Sequence, residues 1–193
     1  MKKLYYATSN NWKFERAKDY FKKLGVDIEQ FDIEIPEIRS DSVSEVAKDK
    51  AIFAYKKLKK PVFVMDAGFF ITALKGFPAT NVKLAEKYLG SEGILKLMED
   101  IEDRNWEFPH AVAYKDALIE KDFIGTIKGT ISLKLSNAKE NKFGRFNDIQ
   151  IPEGQSKTFS EMSKEELAQF DEEIWNHTVY NQFIKWYKEK AGE

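Results

Sequence analysis

The sequence predicts an α/β fold, a mixed twisted sheet flanked by helices with a strand-rich extension. Three observations carry this. Strand-like and helix-like segments alternate through the first 60 residues. The middle of the chain is strand-rich, the combination expected of a mixed sheet. Between them lies Pro61-Val-Phe-Val-Met-Asp66-Ala-Gly68, an apolar run that ends on a carboxylate and a glycine. Open α/β sheets place ligands just beyond the carboxyl ends of their strands, so Asp66 stands where a metal ligand or general base is expected. Asp and Gly are also ordinary turn residues, and the stretch alone admits either reading.

Taken in order, Leu4 to Ala7 reads as a short strand, followed by the polar turn Thr8-Ser9-Asn10-Asn11. Trp12, Ala17, Tyr20, Phe21 and Leu24 have helical spacing, and Gly25 is a suitable stop. A polar loop before a helix N-terminus offers hydroxyl, amide and backbone N–H groups to phosphate. Lys13 falls in the first helical turn, where a cation opposes the helix dipole unless it serves a bound anion. A plainly capped helix with a solvated lysine fits the same pattern.

Val26 to Ile35 reads as the second strand and leads into Pro36-Glu37-Ile38. Ser42-Val-Ser-Glu45 has capping-box spacing and opens a helix to about Lys59 that contains Lys50. Pro61 marks the next break, and Val62 to Met65 is the buried strand that carries Asp66. Lys83 to Leu89 is helical, and after Gly90 the helix resumes over Ile94 to Met98. Phe108 to Tyr114 and Ala117 to Ile119 read as a hairpin around Lys115-Asp116. Phe123 to Gly129 and Thr130 to Leu135 read as a second hairpin or one kinked strand. Ser136 to Lys142 is a polar loop, Phe143-Gly144 opens an irregular stretch, and Lys164 to Tyr187 is mainly helical.

Composition narrows the function. The chain has 193 residues, with 31 basic and 32 acidic side chains and a formal net charge of −1. This balance gives no support for a nucleic-acid-binding surface but allows a local basic pocket for a small anion. The absence of cysteine excludes disulfides, thiolate catalysis and cysteine-ligated zinc, and suits a cytoplasmic protein. The N-terminus turns polar by Thr8 and does not read as a signal peptide. No run approaches the roughly 20 apolar residues that span a bilayer. Glu37 and Asp66 both follow predicted strands, and converging carboxylates would suit Mg²⁺, which takes oxygen ligands and substrate phosphate together. Lys13 and Lys50 would add positive charge for a polyphosphate, provided the fold brings them together.

These residues, in this order, resemble the inosine triphosphate pyrophosphatase family, which acts on deaminated purine nucleoside triphosphates. Thr8-Ser9-Asn10-Asn11-Trp12-Lys13 is similar to its T-[SG]-N-x-x-K signature, and Ile35-Pro36-Glu37-Ile38 to its I-P-E segment. Lys50 falls in the helix where the family carries a lysine. Val64 to Phe69 with Ala73 to Pro78 resembles the V-[DE]-D-[ST]-G-L…A-L-x-G-x-P-G block, and Gly125 to Ile131 its G-x-[VI]-x-G-x-I strand pair. The resemblance implies a single two-lobed α/β domain with a long central cleft, commonly a homodimer. It implies Mg²⁺-dependent hydrolysis of a nucleoside triphosphate to the monophosphate and pyrophosphate. Carried over, Glu37 and Asp66 hold the metal, and Asp66 and Lys13 are catalytic. Thr8, Ser9, Asn10, Lys13, Lys50, Phe143, Gly144 and His177 bind substrate.

The departures from the family pattern are not evenly spread. Met65 stands for the first acid of the paired-acid block, Ala67 for its serine or threonine, and Ala79 for the glycine after Pro78. The F-G-[YW]-D-P segment that contacts the purine becomes Phe143-Gly144-Arg145-Phe146-Asn147-Asp148. Leu167 stands for the lysine of the E-K-N triplet. The S-H-R triplet is absent at its expected spacing, and only Asn176-His177-Thr178, several residues further on, resembles it. Phosphate and metal positions are thus largely present and nucleobase positions mostly changed. A pocket that loses its hydrogen-bond donors loses discrimination, so the expectation is a triphosphate pyrophosphatase with altered base specificity. The alternative is a weak or inactive descendant that serves as a nucleotide-binding or protein-interaction domain.

Overall fold

The computed structural model describes residues 3–138, 145–175 and 179–191. The chain divides into two compact units. The first comprises Met1–Asp66, His110–Gly125 and Asn176–Glu193, and the second Ala67–Pro109 and Thr126–Trp175.

In the first unit, strands β1 (Leu4–Ala7), β2 (Ile28–Phe31) and β3 (Val62–Ala67) run parallel in the order β2-β1-β3. Helices α1 (Asn11–Lys23) and α2 (Val43–Leu58) connect them, as parallel pairing requires a crossover. β1 is buried at all four positions. Its register with β2 runs from Leu4↔Ile28 to Ala7↔Phe31. That is why the second strand is shorter than the Val26 to Ile35 read from the sequence. Among the described residues β1 is its one hydrogen-bonded neighbour in the sheet, and beyond Phe31 there is no β1 residue left to pair.

The core of this unit is aromatic. Tyr6 stacks on Phe63 at 4.6 Å between ring centroids, and Phe63 lies 5.2 Å from Phe21 and 5.0 Å from Phe183. Phe183 belongs to the last helix, α6 (Tyr180–Ala191). Aromatic pairs at these separations add about 0.5–1.5 kcal/mol each beyond area burial.

In the second unit, β4 (Phe69–Ile71) pairs antiparallel with β5 (Pro78–Ala79) and with the first half of β6 (Asn105–Lys115). β7 (Glu120–Ile131) pairs with β6 and, antiparallel at its far end, with β8 (Gln150–Pro152). Gly129 is needed there. A Cβ at this position would lie 2.1 Å from the Ile151 carbonyl oxygen and 2.5 Å from the Trp106 ring. Helices α3 (Val82–Tyr88), α4 (Gly90–Leu97) and α5 (Lys164–Phe170) flank this sheet, whose core holds Phe69, Trp106, Phe146, Phe159 and Phe170.

Other boundaries also differ from the sequence reading. Ala117 to Ile119 is a turn rather than a strand, because Asp116 Oδ1 accepts from the backbone N–H of Leu118 and Ile119 at 2.8 and 2.7 Å. Of the two readings of Phe123 to Leu135, a hairpin or one kinked strand, the structure has the single strand, β7, which ends at Ile131 rather than Leu135. The expected helix from Lys164 to Tyr187 is broken. α5 passes into a π-helical turn, Asp171–Trp175, and α6 starts at Tyr180. Leu167, Phe170 and Ile174 pack in the second unit, whereas Val179, Tyr180 and Phe183 pack in the first. A single helical period had joined residues that belong to two cores.

Candidate active site

The parallel strands of the first unit deliver the residues singled out in the sequence. The β1–β3 register pairs Tyr5 with Val62 and Tyr6 with Phe63, and continuing it brings Asp66 level with Ser9. Thr8, Ser9 and Asn10 therefore leave β1 at the same strand end at which β3 presents Asp66. Asp66 itself falls within β3, which runs two residues further than the expected Met65.

The loop after β1 is tightly tied. The Thr8 backbone N–H donates to the Phe31 carbonyl oxygen, and Thr8 Oγ1 accepts from the Asn10 N–H, both at 3.1 Å. Asn10 is the N-cap of α1, its Oδ1 accepting from the Lys13 N–H at 3.0 Å. With their oxygens used as acceptors, the Thr8 hydroxyl hydrogen and the Asn10 amide are donors available to an anion. They stand at the positive end of the helix dipole. Ser9 is exposed and Lys13 half-buried.

α2 supplies the central cation. Ala47, Ala51 and Ala54 bury one face of this helix completely. Lys50 lies among them at helical spacing, which holds its stem against protein. Its ammonium donates to Glu37 Oε1 at 2.8 Å and to Asp66 Oδ2 at 2.5 Å. The Lys50 and Asp66 side chains are 13% and 18% exposed, and Glu37 is 48% exposed. Burial works to lower the pKa of Lys50, but the Asp66 and Glu37 carboxylates outweigh it and the pKa is raised. Lys50 is therefore an ammonium throughout the neutral range.

Glu37 sits in the coil between β2 and α2, which is anchored at the helix start. Ser42 caps α2 by accepting from the Glu45 N–H at 3.3 Å. The rest of the expected capping box is rerouted. Ser40 Oγ donates to Glu45 Oε2 at 2.6 Å and accepts from the Ser42 N–H at 3.0 Å.

The structure thus joins Glu37, Lys50 and Asp66 directly and sets Thr8, Ser9, Asn10 and Lys13 at the end of the adjacent strand. Phe143, Gly144 and His177 lie outside the described residues. The departures from the family pattern have structural uses. Met65 packs against the first core, and Leu167 is buried in the second. Arg145 forms an ion pair with Glu86. Phe146 is buried with a φ of +60° and lies 5.6 Å from Phe69. Asp148 Oδ1 accepts from Ser91 Oγ at 2.5 Å.

Sequence reasoning missed two groups near the loop after β1. Gln30 Nε2 donates to the Thr8 carbonyl oxygen at 3.1 Å and to Asn11 Oδ1 at 2.9 Å, so an edge-strand glutamine fixes the loop. Its only signal was a polar residue inside an expected strand. Arg16 lies under the Trp12 ring at 5.0 Å, and burial pushes its guanidinium down to about 10. Burial also pushes the neighbouring Tyr6 up, and Tyr180 up to about 12. Tyr6 reads in sequence only as a strand residue.

Glu37 and Asp66 are hard oxygen donors of the kind Mg²⁺ takes. No group of three or more histidine, cysteine, aspartate or glutamate side chains gathers as a metal site among the described residues. A two-carboxylate site leaves positions for water and substrate phosphate. The Lys50 ammonium, set between the two carboxylates, shows that the pair accommodates a cation.

The sequence profile of the Ham1 family matches residues 4–173. The chain belongs to the Ham1 family. It is 36% identical over 183 residues to a dITP/XTP pyrophosphatase of Saccharolobus solfataricus, covering 95% of this chain and 94% of the relative. It is 36% identical to a dITP/XTP pyrophosphatase of Methanopyrus kandleri, covering 98% of each. The fold matches the Ham1 protein of Staphylococcus aureus with a TM-score of 0.78 at 22% identity, over 98% of this chain and all of the other. The family resemblance read from the motifs and the α/β class read from the element pattern are both borne out.

Proposed function

We propose that this Ham1 family chain hydrolyses a nucleoside triphosphate to the monophosphate and pyrophosphate, with Mg²⁺ and an altered choice of base. The observation that carries the reading is the Glu37–Lys50–Asp66 cluster, delivered to the strand end that also presents Thr8–Lys13. That the S. solfataricus and M. kandleri relatives are dITP/XTP pyrophosphatases supports the reaction type.

Water attacks the α-phosphorus, its oxygen is retained on the monophosphate, and the α–β bridging oxygen departs with pyrophosphate. Thr8, Ser9 and Asn10 donate hydrogen bonds to phosphate oxygens at the start of α1. Lys13 and Lys50 offset the charge that grows on the leaving pyrophosphate, where preorganised cations contribute most. Asp66 orients the attacking water and accepts its proton. Glu37 and Asp66 would hold Mg²⁺, which when bound supplies charge withdrawal from phosphate oxygens and acidifies nearby water. An altered base choice is supported by the fates of Arg145, Phe146, Asp148 and Leu167, which are engaged in ion pairing, hydrogen bonding or core packing. The same reading takes the protein to be a cytoplasmic homodimer. Its support is the family resemblance and the absence of cysteine. No helix among the described residues is long and apolar enough to cross a membrane.

The test is product analysis with Mg²⁺ across inosine, xanthosine and the standard nucleoside triphosphates. Equal amounts of monophosphate and pyrophosphate are expected, with all turnover dependent on Asp66. Release of orthophosphate and a diphosphate would overturn the reaction. Saturable binding without turnover would identify an inactive, nucleotide-binding descendant instead.

A further inference from the structure

The ion cluster carries an inference about how the site takes up its two ligands, and it rests on the function proposed above. Lys50 Nζ lies 2.8 Å from Glu37 and 2.5 Å from Asp66, the two carboxylates assigned to the divalent ion. An ammonium and a divalent cation compete here for the same lone pairs, and two cations held within a few ångströms repel each other. Mg²⁺ also gives up its water reluctantly. A carboxylate pair already neutralised in part by an ammonium therefore attracts the free ion poorly.

The ammonium has limited freedom to leave. Its side chain is 13% exposed, and on α2 it neighbours the fully buried Ala47, Ala51 and Ala54. It needs another anion within reach, and a polyphosphate bound at the start of α1 provides one. We propose that Lys50 is an interlock. Without nucleotide its ammonium holds the Glu37–Asp66 pair against free divalent ions. An arriving polyphosphate takes the ammonium over and leaves the pair to the ion. Nucleotide and metal then bind with positive coupling that runs through one side chain. A lysine that merely tied the Glu37 coil to α2 would act differently, because its removal would weaken both ligands.

The experiment uses Mn²⁺ as a paramagnetic probe on the nucleotide-free full chain, where no turnover enters. Lys50→Met is expected to bind free Mn²⁺ about tenfold more tightly than wild type, within the roughly 5–150-fold span of coupling between sites. The same variant is expected to bind an α,β-methylene triphosphate analogue more weakly. Lys50→Arg keeps the charge and is expected to keep the weak affinity for free Mn²⁺. Lys50→Gln replaces the methionine variant if circular dichroism shows that the latter does not fold. Unchanged or weaker Mn²⁺ binding in the neutral variants overturns the interlock. If that occurs while the wild type still releases pyrophosphate, only the interlock falls. If the wild type neither binds the analogue nor releases pyrophosphate, the functional reading falls with it.

Discussion

The two units treat the family's motif positions in opposite ways. In the first, Glu37, Lys50 and Asp66 are drawn into one cluster, and Thr8, Asn10 and Lys13 stand at the end of the neighbouring parallel strand. In the second, the described residues of the altered base segment are committed to their own unit. Arg145 pairs with Glu86, Asp148 takes the Ser91 hydroxyl, and Phe146 fills the core against Phe69. The difference follows from what each task needs. Binding phosphate draws on strand ends, a helix N-terminus and a few charges, all fixed by the backbone path. Reading a base depends on side chains that can be exchanged while the fold persists.

The largest effect expected is at Asp66. Asp66→Asn keeps the side chain's shape and leaves Lys50 its bond to Glu37, so circular dichroism should be close to wild type. Loss of a general base reduces turnover by about 10²–10⁴-fold, and the proposed metal site would lose a ligand as well. Pyrophosphate release that stays within tenfold of wild type would break the assignment of chemistry to the first unit. The counterpart in the second unit is Phe146→Ala. Truncating a buried phenylalanine costs about 3–5 kcal/mol, read as a lowered denaturation midpoint. A Phe146→Ala protein of normal stability but changed base preference would show that Phe146 reads the base rather than fills the core.

Much of this contrast could be read in the sequence, for identifiable reasons. β1 and α1 were legible because burial, capping and helical spacing there are all local. The family motifs were legible because they are short and keep their order. The contact of Lys50 with Asp66 was not, since it depends on how α2 lies against β3. The length of β2 was set by its partner, and the break after Phe170 by the assignment of neighbouring aromatics to two different cores. The fate of Phe146 was hidden too, because a phenylalanine in a polar stretch carries no sign of which core receives it.

A smaller effect tests how the loop of the first unit is held. Gln30→Ala removes the two hydrogen bonds to the Thr8 carbonyl and Asn11 while touching no proposed substrate contact. Each such hydrogen bond contributes about 1 kcal/mol net, so losing one or both corresponds to a rise in KM of roughly fivefold to thirtyfold. Little change in kcat is expected, because the charges that act on the leaving group stay in place. A fall in kcat with unchanged KM would move Gln30 from positioning the loop to the chemistry itself.

The smallest effect separates the units by acid sensitivity. In the first, burial works to raise Asp116, but the Leu118 and Ile119 amides and the Tyr114 hydroxyl outweigh it, and its pKa is lowered. In the second, the Thr158 backbone amide and hydroxyl hold Glu161 below its ordinary value. A carboxylate whose pKa is lower in the folded chain stabilises it above the unfolded value of about 4, and that stability is lost as pH falls through the folded value. Thermal midpoints measured from about pH 5 down to about pH 2 should therefore decline. Asp116→Asn and Glu161→Gln should each flatten the decline, because each removes a carboxylate whose pKa is lowered by the donors around it. Equal slopes in all three proteins would mean that neither carboxylate sets the acid limit of its unit.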